Sequence, residues 1–291
     1  ISISDCDSLN NLEGLENLEL KIADININDE NRDFDESTLS RLESLVSIEH
    51  LPKLNSEKLI IREVNISNLK GIESSNHLEE LSIQNSGQLK LLDSLSDLKN
   101  LKKIEINTCP ETLDYTVLSE LVSLETCLLG DRYSVSSSDK DKKEILPEKW
   151  PESLKFLSLS TSAICLGALP KSLEKIELGK CDNLKSLKEL KLCSNLNESG
   201  IGYLCDGQID LSLCPSLINL EGIQNKPFIK RITISPFITN LDDISEIDDL
   251  EITINFSKID GFDEITKISK DLSIALSKLK NFKMIIEKGW D

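Results

Sequence analysis

Eight cysteines, two histidines and 51 carboxylates are the first side chains in this sequence to test for chemistry. The cysteines fall at Cys6, Cys109, Cys127, Cys165, Cys181, Cys193, Cys205 and Cys214, with no Cys-x-x-Cys pair among them. A zinc site draws Cys and His ligands from short paired spacings, and His50 and His77 with scattered Cys do not supply them. A Cys–His nucleophile pair needs no proximity in sequence. Cys6, Cys109, Cys181 and Cys214 nevertheless recur at one position of a repeated phrase, which marks a packing role. Reduced thiols and a cytoplasmic location are expected. Among the acids, Asp29-x-Asn31-x-Asp33-x-Asp35 has the alternate carboxylates of a calcium loop. Phe34 stands where the tight turn needs Gly, and Ser40 where a bidentate Glu is required, so a solvated acidic loop is the reading. There is no G-x-G-x-x-G, Walker A, H-E-x-x-H or G-x-S-x-G phrase. The expectation is no catalytic residue, no metal, no cofactor and no enzyme activity.

The elements that carry these residues follow from the repeated phrase. Ile1-Ser2-Ile3-Ser4-Asp5-Cys6-Asp7-Ser8-Leu9-Asn10-Asn11-Leu12-Glu13-Gly14-Leu15 returns as Ile209-Asp210-Leu211-Ser212-Leu213-Cys214-Pro215-Ser216-Leu217-Ile218-Asn219-Leu220-Glu221-Gly222-Ile223. Apolar alternation at its start is a strand signal. The Cys is small and buries easily as the chain leaves the strand. Leu or Ile at every third position then suits a tight, partly 3₁₀ return. One copy cannot bury its own apolar face, but stacked copies share a continuous core and align their strands in a parallel sheet. Leu78-Glu79-Glu80-Leu81-Ser82-Ile83, Leu101-Lys102-Lys103-Ile104-Glu105-Ile106 and Leu173-Glu174-Lys175-Ile176-Glu177-Leu178 are further copies. This L-x-x-L-x-L-x-x-(Asn/Cys/Ser)-x-x-L pattern resembles the leucine-rich repeat family over most of the chain. The fold expected is an α/β leucine-rich-repeat solenoid. It is curved, with a parallel sheet on the concave side and short helices, 3₁₀ turns and loops on the convex side.

One domain over 1–291 is expected, because a solenoid has no size limit set by a single core. Leu15-x-x-Leu18-Glu19-Leu20 reads as a second repeat, interrupted over 24–50 by the acidic loop and by a helix bearing Leu39, Leu42, Leu45 and Val46. Leu59-Ile60-Ile61 restores the strand column. Residues 133–149 read as a flexible loop. Leu190-Lys191-Leu192 has the repeat form but begins too soon after Ile176 for a full coil. Strands are expected at 209–211, 232–234 and 250–254, and a helix–strand cap over 260–291. Trp150-Pro151-Glu152-Ser153-Leu154 and Leu169-Pro170-Lys171-Ser172-Leu173 are similar to the L-P-x-S-L repeats of bacterial leucine-rich-repeat effectors, including the ubiquitin-ligase group. That likeness implies delivery into a host cell and a host-protein target, or a substrate-reading part of a larger ligase.

The net charge is −18. It argues against nucleic acid and against anionic membrane surfaces as partners. It leaves open a purely solubilising role for the acid or a basic protein partner. No run of 18 apolar residues is present for a membrane span. The expected activity is protein recognition by a monomer. The binding residues are those that alternation turns out of the core: Glu19, Lys21, Arg62, Ser82, Gln84, Glu105, Asn107, Ser158, Ser160, Glu177, Asp210, Ser212, Thr233, Ser235 and Glu251.

Overall fold

A computed structural model describes residues 2–4, 8–14, 36–42, 44–51, 54, 56–107, 109, 113–130, 144–196, 208–224, 226, 228–245, 247, 249–256, 270–279 and 282–287. The chain divides into two compact units, Ile1–Leu154 and Lys155–Asp291. In the first, β1 (Ser2–Ser4), β2 (Glu36–Leu42), β3 (Lys58–Val64), β4 (Glu80–Gln84), β5 (Lys103–Asn107) and β6 (Thr126–Leu129) follow one another. Each pairs in parallel with the next. In the second, β7 (Phe156–Leu159) pairs in parallel with β8 (Lys175–Leu178). β9 (Gln208–Leu211), β10 (Arg231–Ile234), β11 (Leu250–Asn255) and β12 (Phe282–Glu287) form a four-stranded parallel sheet in chain order.

Parallel neighbours need a crossover, and here the crossover is the rest of each coil. Its three-residue period has a backbone cause. In the fourth coil the N–H of Leu89, Leu95, Leu98 and Leu101 donates to the carbonyl of Ser86, Leu92, Leu95 and Leu98, at 2.9–3.1 Å. Successive i→i+3 turns thus satisfy the thin coil's own amides, and every third side chain points inward. Ser86, Leu89, Leu92, Leu95, Leu98 and Leu101 are all buried. The return contains a 3₁₀ turn at Ile72–Ser75, Asp93–Asp97, Thr116–Glu120, Lys188–Leu192 and Asp242–Ile244.

A side-chain turn opens most returns. Asn11, Asn68, Asp114, Asn219 and Asn240 each accept, through Oδ1, the backbone N–H two residues on, at 2.9–3.2 Å. Ser47 and Ser186 do the same through Oγ at 3.1 Å. This Asx or Ser turn satisfies one of the donors that a 3₁₀ segment leaves free. At Cys181 and Cys214 the recurrent Cys position is a buried packing position, as the spacing implied; Cys109 is half-buried and Cys6 lies outside the described residues. Cys181 Sγ donates to the Leu159 carbonyl at 3.7 Å and Cys214 Sγ to the Gly179 carbonyl at 3.9 Å, each reaching back to the preceding coil.

Two expectations are corrected. The helix placed within 24–50 is strand β2 over Glu36–Leu42 and then a return, with Leu39, Leu42, Leu45 and Ile48 buried and Val46 exposed. Three-residue spacing belongs to a coil return as well as to a helix face, and the periodicity alone did not separate them. β1 pairs directly with β2; the repeat expected at Leu15 to Leu20 lies outside the described residues. Leu190-Lys191-Leu192 is part of the 3₁₀ turn Lys188–Leu192 on the return from β8, not a new strand. Within the expected loop 133–149, residues 144–149 are described, and Ile145 makes a parallel bridge to Asp114. The helical segment 270–276 and strand β12 occupy the described part of 260–291.

Candidate functional site

Strand alternation sends one set of side chains inward and the other onto the open face of the sheet. In the first unit the register lines up Ile60, Ser82, Glu105 and Leu128 in one row, and Arg62, Gln84 and Asn107 in the next. These residues bond to one another. Arg62 Nε donates to Gln84 Oε1 at 3.0 Å. Gln84 Nε2 donates to Ser82 Oγ at 3.0 Å and to Glu105 Oε1 at 3.3 Å. Asn107 Nδ2 donates to the same Glu105 oxygen at 2.5 Å. Five of the expected residues therefore form one polar ladder across three strands, its side chains held by their neighbours rather than free to rotate.

The second unit places its expected residues differently. Ser158 stands beside Glu177, and both are buried. Lys175 Nζ pairs with Glu177 at 2.7 Å and lies 4.9 Å from the centroid of the Phe156 ring. Ser160 has a buried hydroxyl with no hydrogen-bond partner, seated where a side chain on Gly179 would collide with it. Asp210 accepts the Ser212 N–H at 2.9 Å, a local turn. Thr233 and Ser235 are buried. Glu251 is paired on both sides, to Lys283 at 2.8 Å and to Arg231 at 3.7 Å, and these cations hold its carboxyl below the usual range. The register puts Glu251 beside Arg231 and Lys283, one row earlier than the Asp210–Thr233 row to which the spacing assigned it. Glu19 and Lys21 lie outside the described residues.

The outward slots Ser82, Ser158, Glu177, Thr233 and Ser235 are thus less open than alternation implied. Ser82 sits between the taller Ile60 and Glu105, and Ser158 beside Glu177, on adjacent strands. The reading also missed a third row on the same face, immediately before the first core residue of each strand. It runs Lys58, Glu80, Lys103 and Thr126 in the first unit. In the second it holds Phe156 and Lys175, and Gln208, Arg231, Glu251 and Lys283. Extending the same alternation back by two residues would have found it.

With this row included, and among the residues whose side chains are described, the sheet faces carry Glu80, Glu105, Glu177, Asp210 and Glu251 against Lys58, Arg62, Lys103, Lys175, Arg231 and Lys283. The faces are of mixed charge; the acid surplus lies elsewhere. No group of three or more His, Cys, Asp or Glu that could hold a metal ion occurs among the described residues. No helix among them is long and apolar enough to cross a membrane.

Coils of about two dozen residues, each giving one strand to a parallel sheet and closing through three-residue turns, define a leucine-rich-repeat fold. No family model matches the chain. No curated protein matches it either. Among solved structures, it is similar to an internalin of Listeria monocytogenes at 12% identity and a TM-score of 0.38, covering 87% of this chain and 82% of that one. It is also similar to a leucine-rich-repeat protein of Leptospira interrogans at 17% identity and a TM-score of 0.36, covering 87% and 79% respectively.

Proposed function

We propose that the chain is a non-enzymatic recognition module that binds a protein partner on the sheet face of its first unit. The observation that carries this reading is the Arg62–Gln84–Glu105–Asn107 ladder, in which each polar side chain is fixed by the next. Repeat folds present extended sheet surfaces to partners. A surface whose side chains are already ordered loses less entropy on binding. The mixed charge of the face fits a polar partner of both signs better than a uniformly basic one. The face has no Trp or Tyr anchor on its described strands, so affinity would rest on many hydrogen bonds rather than on one apolar hot spot.

The test is capture of binding proteins with the wild-type chain, an Arg62→Glu/Glu105→Lys variant, and a Glu120→Lys control on a return segment. Partners retained by wild type and control but lost by the ladder variant support the reading. Equal capture by all three, with circular dichroism unchanged, removes it.

A second reading, substrate recognition within a larger ligase delivered to a host cell, draws on the two Leu-Pro-x-Ser-Leu-like phrases. Both take the same turn, with Leu154 donating to the Pro151 carbonyl and Leu173 to the Pro170 carbonyl. Sequencing of the coding region on both sides decides it: an adjoining catalytic domain would support it, and its absence would end it.

A further inference from the structure

The polar ladder of the first unit holds two charges that their neighbours orient but do not neutralise. Arg62 Nε donates to Gln84 Oε1, and Glu105 Oε1 accepts from Gln84 Nε2 and Asn107 Nδ2, so the ladder gives both charges only neutral amides. The register places Arg62 between Ser40 and Gln84, and Glu105 between Ser82 and Leu128. Neither makes an ion pair among the described residues. Elsewhere on the sheet faces opposite charges meet: Lys103 with Glu80 at 3.9 Å, Lys175 with Glu177 at 2.7 Å and Lys283 with Glu251 at 2.8 Å. One cation and one carboxylate held apart by an amide are what a partner of matching charge would complete.

The hydrogen-bonding positions left over run in one order across the ladder. At Arg62 they are donors, the Nη groups, because only Nε is engaged. At Glu105 the position is an acceptor, Oε2, because both bonds go to Oε1. Between them both Gln84 Nε2 hydrogens are used, on Ser82 and on Glu105, while Gln84 Oε1 keeps a second lone pair. Asn107 Oδ1 is a further acceptor, not engaged among the described residues. These positions select an extended segment. Bonds of 3.0 and 3.3 Å through one amide keep Arg62 Nε and Glu105 Oε1 within about 9 Å of each other. Alternate side chains of an extended chain leave one face about 7 Å apart. A carboxylate on one can reach Arg62 while a cation on the other reaches Glu105. An extended backbone also has N–H groups to give to Gln84 Oε1 and Asn107 Oδ1. A helix matches the two charges at i and i+4, but its N–H groups are spent on its own carbonyls and those acceptors stay unmet.

We propose that the partner's contacting segment is an extended peptide bearing an acidic and a basic residue two positions apart, the acid seated on Arg62 and the base on Glu105. The proposal rests on the recognition reading above and gives it a partner chemistry.

Selection of a displayed library of short random peptides on the full 291-residue chain tests the proposal. Peptides enriched on the wild type should carry Asp or Glu two positions from Lys or Arg. On Arg62→Gln the acid should drop out of the enriched set while the base stays, and on Glu105→Gln the reverse, with circular dichroism unchanged in both. Fluorescence anisotropy with one selected peptide completes the cycle. Replacing its acid by the matching amide should weaken binding about tenfold on the wild type and less than about twofold on Arg62→Gln. Replacing its base by Gln should do the same on the wild type and on Glu105→Gln. Equal losses on wild type and variant overturn the proposal. So does enrichment of acid and base four positions apart, the spacing of a helix face, or of peptides lacking the pair. If captured partners are lost by Arg62→Glu/Glu105→Lys and yet no acid–base peptide is enriched, the recognition reading stands and this proposal falls. Capture indifferent to that double variant removes the reading, and the proposal with it.

Discussion

At Gly71 and Gly222 the backbone has φ +107°, and a side chain at either site would run into the carbonyl of Ile48 or Leu187 on the preceding coil. Gly14 has φ +89°, and among the described residues nothing lies within 4 Å of where its side chain would be. The three substitutions to Ala therefore separate two effects. Gly14→Ala should cost about 1 kcal/mol, the strain of a left-handed residue alone. Gly71→Ala and Gly222→Ala should each cost more than about 2 kcal/mol, because coil stacking must also give way. Urea denaturation reads the difference, and equal losses at all three sites would refute the close-approach account. The buried thiols make a second prediction at this scale. Burial pushes Cys109 and Cys193 up to about 11 and raises Cys127 further. Cys214 is raised by its hydrogen bond with Cys181 and then by burial. The unfolded chain releases these protons from its ordinary value of 9.0 upward, while the folded chain still holds them. The stability so contributed is complete below that value and is lost as pH rises toward the folded values. Under reducing conditions the urea midpoint should be level to about pH 8 and clearly lower by about pH 10. A midpoint that stays level to that pH would mean the thiols are not buried as described.

A single slot controls the entry to each return, and its occupants predict the effect of exchanging them. Asn68 and Asn219 accept the N–H that opens the turn. Asn68→Ala or Asn219→Ala should cost about 1 kcal/mol, the worth of a side-chain cap. The fourth coil has Leu91 at this slot, 54% exposed, just ahead of buried Leu92. Leu91→Asn should stabilise by a few tenths to about 1 kcal/mol, by supplying the missing acceptor. Thermal unfolding of the two sets side by side tests both signs. The sequence made most strands legible, because Ile-x-Ile and Leu-x-Leu alternation recurs at 81–83, 104–106, 157–159, 176–178, 209–211 and 232–234. It misled at Leu39–Leu45, where three-residue spacing mimicked a helix face, and at Leu190–Leu192, where a return carried a strand-like phrase. Of the candidate site, the rows were legible because alternation fixes which side chains leave the core. Which of them would bond together was not, since Gln84 reaches Glu105 only through the register of β4 on β5. Nor was the burial of Glu177, whose carboxylate pairs with Lys175, which in turn lies against the Phe156 ring.

Across the molecule, a formal charge of −18 sits on sheet faces that are nearly balanced, so the surplus acid is carried largely outside the strands. Residues such as Glu13, Asp93, Asp97 and Glu120 are exposed on the returns. Stacked coils bring such groups close, and their mutual repulsion opposes the folded state more than the expanded one. Exposed ion pairs act the other way: Lys70–Glu49 at 2.5 Å and Lys102–Glu79 at 2.6 Å link neighbouring coils. Pairs of this kind contribute little, since water screens them and both long side chains must be held. Repulsion summed over so large an imbalance should therefore exceed them. Raising NaCl from about 0.01 M to about 1 M shortens the screening length from about 30 Å to about 3 Å. The midpoint of thermal unfolding should rise by a few degrees over that range, and Asp97→Lys with Glu13→Lys should flatten the rise by removing part of the repulsion. A midpoint that falls with salt would show instead that the inter-coil ion pairs outweigh the repulsion and hold the stack together.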